Sequence, residues 1–309
     1  MRTTLAGIFC AFFLSALPVN AQDSTVVPLE RETLGYGRLF TNDFLGDGED
    51  RWRTGSYAMS RIRGYQWDGE RPEAFGDLLE FRLRAEILAP DNLVTPAAGD
   101  RRYAGALSLG MHTHFQRGQT EMSLGADLVV TGPQTGLGAF QREAHKLLDA
   151  DVPTVLGNQI VDGFHPGVTY EAGRPFRLSE TAMVRPFVEM QVGAEDLVRI
   201  GADMIIGRFG QRDLFVRDVS SGQLYSAVRQ GDQGTSFVVG GDIAKVDSSI
   251  YLPDANGYVL TDSRDRLRAG VHWQGERTGV FYGLTWLGRE FEAQNDSQIV
   301  GSINLRLNF

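Results

Sequence analysis

Cysteine is all but missing from this chain. The single thiol, Cys10, stands inside an N-terminal segment that reads as a removable signal peptide. Met1-Arg2 gives the positive start, Leu5 to Leu17 the apolar run, and Val19-Asn20-Ala21 the small residues before a cleavage point. The run falls short of the roughly 20 apolar residues that a membrane-spanning helix needs. Cleavage after Ala21 would start the mature chain at Gln22 and leave it without a thiol. Disulfides, cysteine-ligated metals and cysteine nucleophiles are then excluded. Positive charge is also short: the net charge is −9, which argues against nucleic acid as a partner. No later stretch could span a bilayer as a helix. Neither a G-x-S-x-G elbow nor an H-E-x-x-H zinc motif occurs. No linker or internal repeat divides the chain beyond the signal, so residues 22–309 read as one domain.

Glycine is abundant, at 37 residues, and the mean hydropathy is −0.20. Such values suit soluble secreted proteins and membrane barrels alike, because only alternate residues of a barrel face lipid. The informative pattern is strict alternation. Ile303, Leu305, Leu307 and Phe309 form one row, and Ser302, Asn304, Arg306 and Asn308 the other. Leu107, Leu109, Met111 and Phe115 likewise oppose Ser108, Gly110, His112 and His114. One row suits lipid and the other a polar lumen. The terminal Phe309 resembles the signal read by the outer-membrane assembly machinery.

Twelve such segments can be drawn, at about 35–45, 53–65, 77–90, 103–116, 119–132, 164–175, 182–194, 196–209, 235–247, 265–275, 277–290 and 296–309. An even count of strands of this length predicts an all-β fold: a twelve-stranded antiparallel transmembrane β-barrel in the outer membrane of a Gram-negative bacterium, expected as a monomer. A soluble β-sandwich or barrel is the alternative with the same alternation. Both termini belong in the periplasm, so connections after odd-numbered strands face outward. Tight turns are expected at Gly118, Ala194-Glu195 and Gly275-Glu276, and longer loops at 91–102, 133–163 and 210–234. Within the second of these, Gly136 to Leu148 predicts a short helix, with Gln141 and His145 one turn apart on one face.

Three polar motifs fall in the first three outward loops: Asn42-Asp43 with Thr54, Gly99-Asp100-Arg101, and Thr131 to His145. Strand parity alone lets them converge on one rim. Each has a plain structural reading as well: turn formers, a local ion pair, a solvated loop histidine. His112 and His114 read as lumen lining.

These motifs resemble those of the outer-membrane lipid A 3′-O-deacylases. Asn42-Asp43 is similar to the family's Asn-Asp pair at the end of the first strand. Asp50-Arg51-Trp52-Arg53-Thr54 fits its D-R-x-x-T motif, and Gly132-Pro133 through Gln141 and His145 fits its G-P…Q-x-x-x-H block without gaps. The resemblance implies a calcium-dependent esterase acting on lipid A, or lipopolysaccharide, in the outer leaflet. It implies His145 as general base, Asn42, Asp43, Thr54 and Gln141 as further active-site groups, and Asp43 and Asn42 as ligands of Ca2+. Two departures stand out. The family's lysine in the second outer loop is missing from 91–102, so either Arg101 or Arg102 takes its part or the part is absent. Neighbouring residues of a regular strand also point to opposite faces, so Asn42 and Asp43 serve one site only if the strand bulges or has ended there. A non-enzymatic pore or structural barrel is the competing reading. A serine phospholipase is a third, but no Ser–His pair facing lipid supports it.

Overall fold

The computed structural model describes residues 30–307, apart from 208–209 and 231–232. The cleavage point at Ala21 and the terminal Phe309 lie outside the described residues. Alternation sets the architecture. Twelve strands form one closed antiparallel barrel, numbered here in chain order: β1 Glu32–Asn42, β2 Trp52–Gly64, β3 Leu79–Ala89, β4 Ala104–Arg117, β5 Thr120–Thr131 and β6 Gly163–Gly173. The second half comprises β7 Ala182–Val192, β8 Glu195–Ile206, β9 Gly234–Ser249, β10 Arg264–Gln274, β11 Thr278–Leu287 and β12 Gln298–Leu307. Each of the twelve lies within a few residues of its expected segment. The ring closes where β1 meets β12, over three residue pairs from Phe40–Ile303 to Asn42–Gly301.

The two rows separate as a barrel requires. Tyr36, Phe40, Leu109, Met111, Ile303 and Leu305 are exposed on the outer wall. Ser60, Glu80, His112, His114 and Ser302 are buried inside. A long apolar row facing water would be unstable, whereas facing acyl chains it is the favourable arrangement.

The connection at 210–234 corrects an expectation. It follows an even-numbered strand and is no outer loop: it turns into the lumen as a hairpin, Leu214–Arg217 paired with Leu224–Val228. Leu214, Val216, Tyr225 and Ala227 pack there on Leu39, Ala58, Ile62, Leu78 and Phe281 of the inner wall. Glycine permits the approach: a Cβ on Gly35 would stand 2.2 Å from the Ala227 carbonyl oxygen. Beside this apolar plug the bore is filled by paired charges. Arg217 pairs with Glu171 at 2.7 Å and Asp203 at 2.8 Å, and Arg266 with Asp242 at 2.9 Å. At the hairpin tip, Ser220 donates to Glu86 at 2.8 Å, close to the outer end of β3. A cavity of about 480 Å³ remains at the periplasmic end, lined by Trp67, Arg71, Arg185 and Arg217 among others.

Helix α1, Leu137–Leu148, forms in the third outer loop as expected. Gly136, in the left-handed conformation at φ 71°, leads into it.

Candidate active site

The site begins with the end of a strand. β1 stops at Asn42, which stands in the outward row with Tyr36 and Phe40; Asp43 opens a 3₁₀ turn, Asp43–Leu45. The pair can therefore share one site, because the strand has ended there. Asn42 caps the turn: its side-chain oxygen accepts from the Phe44 amide at 2.9 Å, and its Nδ2 donates to the Thr54 carbonyl at 2.7 Å. Across from it, β2 carries a bulge. Trp52 pairs with Ala89 and Gly55 with Ile87, so one extra residue is inserted. Trp52 takes φ 48°, rare for a bulky residue. The bulge parts Arg53 from Thr54. Arg53 turns inward to Glu86, at 2.6 Å, and to Glu290. The Thr54 hydroxyl stays at the rim and donates to Asp50 and, at 3.4 Å, to Asp43.

Asp50 is the centre of the cluster. Its Oδ2 lies 3.1 Å from His145 Nε2, and its Oδ1 accepts from Gln141 Nε2 at 3.4 Å. His145 is held from its other side: Nδ1 donates to the Asp151 carbonyl at 2.6 Å. This fixes the ring and presents Nε2 to the cluster. The helix supplies both residues because positions four apart share a face, and Gln141 and His145 are both buried. Asn42, Asp43, Thr54, Gln141 and His145 thus meet on one rim, drawn from three segments. Sequence reasoning passed over Asp50 as a site residue, although it opens the D-R-x-x-T motif. It also passed over Tyr103, whose buried hydroxyl has no hydrogen-bond partner among the described residues.

Helix α1 reaches this rim from the outside of the wall. Gly105 belongs to the outward row of β4, with Leu109 and Met111, yet it is covered: a Cβ there would stand 2.8 Å from the Thr135 hydroxyl and 3.0 Å from Leu137 Cβ. Ile87, Ala89, Leu93, Tyr103, Val155 and Leu156 form the apolar cluster that ties both outer loops to β3 and β4.

Arg101 does not stand in for the family's lysine. Its guanidinium is fully buried and donates to Glu290 at 2.8 Å, within the charged floor below the rim. As for calcium, the donors suit a hard cation. Asp43 is buried, and its carboxyl is pushed up to about 8, chiefly by burial. Amide hydrogen bonds from Arg51 and Phe44 oppose that shift, while the neighbouring Asp50 and Asp47 add to it. A buried carboxyl of this kind fits an oxygen-seeking cation, and Gln141, whose Nε2 bonds Asp50, carries a buried side-chain oxygen without a partner among the described residues. Among the described residues no three of His, Cys, Asp and Glu converge as a metal cage. Amide and backbone oxygens would therefore have to complete the set.

Fold and rim together define a twelve-stranded outer-membrane barrel that carries a histidine–carboxylate cluster on one edge. The chain belongs to the family whose motifs it resembles: the family model for outer membrane protein LpxR matches residues 8–309. LpxR from Salmonella typhimurium is similar in structure, with a TM-score of 0.73 at 18% identity, covering 89% of this chain and 100% of that one. At that identity the likeness is one of fold. Two looser matches are the β domain of the Bordetella autotransporter BrkA, TM-score 0.44 at 12% identity over 89% of this chain and 99% of that one, and the translocator domain of the autotransporter NalP from Neisseria meningitidis, 0.40 at 8% over 91% of each. No curated protein matches the sequence.

Proposed function

We propose that this outer-membrane barrel is a lipid A 3′-O-deacylase that hydrolyses an acyl ester in the outer leaflet with His145 as general base. The observation that carries the reading is the placement of His145: anchored through Nδ1 to Asp151, turned through Nε2 to Asp50, and set on a rim approached from the lipid side. A base there meets ester bonds at the head of the acyl layer without entering the lumen.

Water adds to the ester carbonyl carbon as its proton passes to His145 Nε2. Asp50 stabilises the imidazolium so formed. Collapse of the tetrahedral adduct breaks the acyl C–O bond, and the proton on Nε2 goes to the departing sugar oxygen. Gln141 and Thr54 hold Asp50 in position, and Asn42 ties the end of β1 to β2. Calcium held by Asp43 and Asn42 would supply positive charge for the developing oxyanion.

A small-solute pore is the competing reading, and the hairpin seated in the bore counts against it. Mass spectrometry of lipid A from cells expressing the chain is the test. Loss of one acyloxyacyl group in the presence of calcium is expected. Unaltered lipid A, from a barrel verified in the outer membrane, would overturn the proposal.

A further inference from the structure

Helix α1 has three faces, and the site accounts for only one. At about 100° per residue, Gly138, Gln141 and His145 occupy the arc turned to the rim cluster. Arg142, Glu143 and Lys146 occupy a second arc, where Glu143 and Lys146 form an ion pair at 2.9 Å. The third arc is apolar, and three of its residues lie bare: Phe140 is 66% exposed, Leu147 87% and Leu148 73%. A water-soluble helix would hide such a stripe and show its polar side.

The stripe is continuous with the membrane wall. Leu137 shares its arc, and Leu137 rests on Gly105 in the outward row of β4, which runs on through Leu109 and Met111. The same rim carries Phe44, 76% exposed, in the turn after β1.

We propose that the Phe140–Leu147–Leu148 stripe lies in the acyl-chain layer of the outer leaflet, making α1 an interfacial membrane helix. Its occupant is the bulk lipid of that leaflet. The charged arc then faces the headgroups and water, and the His145 arc stands between the two. Immersion would fix the height of the helix against the wall and hence the level of its site face. The inference rests on the barrel's membrane location and on exposure, and does not depend on the proposed chemistry.

The test is spin-label accessibility in the full barrel reconstituted in phosphatidylcholine vesicles. Cys10→Ser serves as background, and single labels are placed at Phe140→Cys, Leu147→Cys, Leu148→Cys, Glu143→Cys and Lys146→Cys, with Leu109→Cys as the wall reference. Positions 140, 147 and 148 should collide with oxygen in severalfold excess over a water-soluble nickel chelate, as at 109. Positions 143 and 146 should show the reverse. Equal access to the nickel chelate at all five helix positions overturns the inference. So does exclusion of both reagents at 140, 147 and 148, which would mean that protein covers the stripe.

Discussion

The histidines differ in what holds them. His145 is anchored by one backbone carbonyl and faces a carboxylate at the rim, whereas His114 bonds the buried Glu80 at 2.8 Å and His112 faces Asp127 at 3.2 Å inside the barrel. His145→Ala should lower deacylation by roughly 10²–10⁴-fold, as for a lost general base, with a folded barrel retained. His112→Ala and His114→Ala should keep most activity; lipid A profiling at matched outer-membrane levels compares the three. Asp50→Asn keeps the shape of the cluster but removes the charge that stabilises the imidazolium. The rate should fall by about 10²-fold or less, and less than for His145→Ala. Activity equal to the parent's would remove Asp50 from the mechanism. His145 and Gln141 were legible because helical spacing is a local property. Asp50 was not, because its part depends on a bulge that turns Thr54 toward it, and no residue type announces that register.

At the scale of elements, alternation placed the twelve strands of the barrel wall, since each outward row must be apolar over the whole membrane thickness. The hairpin within 210–234 escaped it. Its strands of four and five residues are enclosed on both faces, and Leu214, Val216, Leu224, Tyr225, Ala227 and Val228 show no polar row to mark a register. Gly105 is where the elements of the site depend on one another. A branched side chain there would collide with Thr135 and Leu137 and lift the helix from the wall. Gly105→Val should therefore abolish most deacylation while the barrel keeps its heat-modifiable migration on a gel. Normal activity in that variant would show that the seating of α1 is immaterial.

For the molecule as a whole, the rim is rich in acid and the bore is balanced. Asp43, Asp47 and Asp50 gather above, whereas below them Arg53, Arg101 and Arg264 meet Glu86, Glu195 and Glu290. Chelation should thus abolish activity without unfolding the barrel, and calcium should restore it in preference to zinc, which favours nitrogen and sulfur ligands. Full activity in excess chelator would remove calcium from the reaction. Replacing 212–229 by a short glycine-serine link should open a conducting path in planar bilayers, where the parent should show none. A large steady conductance from the parent would revive the pore reading. The filled bore also matters to the cell that carries it. An outer-membrane barrel can be made in many copies only if none of them leaks, because the outer membrane excludes large solutes by having no wide holes. On that view the hairpin between β8 and β9 protects the envelope as well as the fold, and its loss should show as sensitivity to large antibiotics even in cells whose lipid A is normally processed.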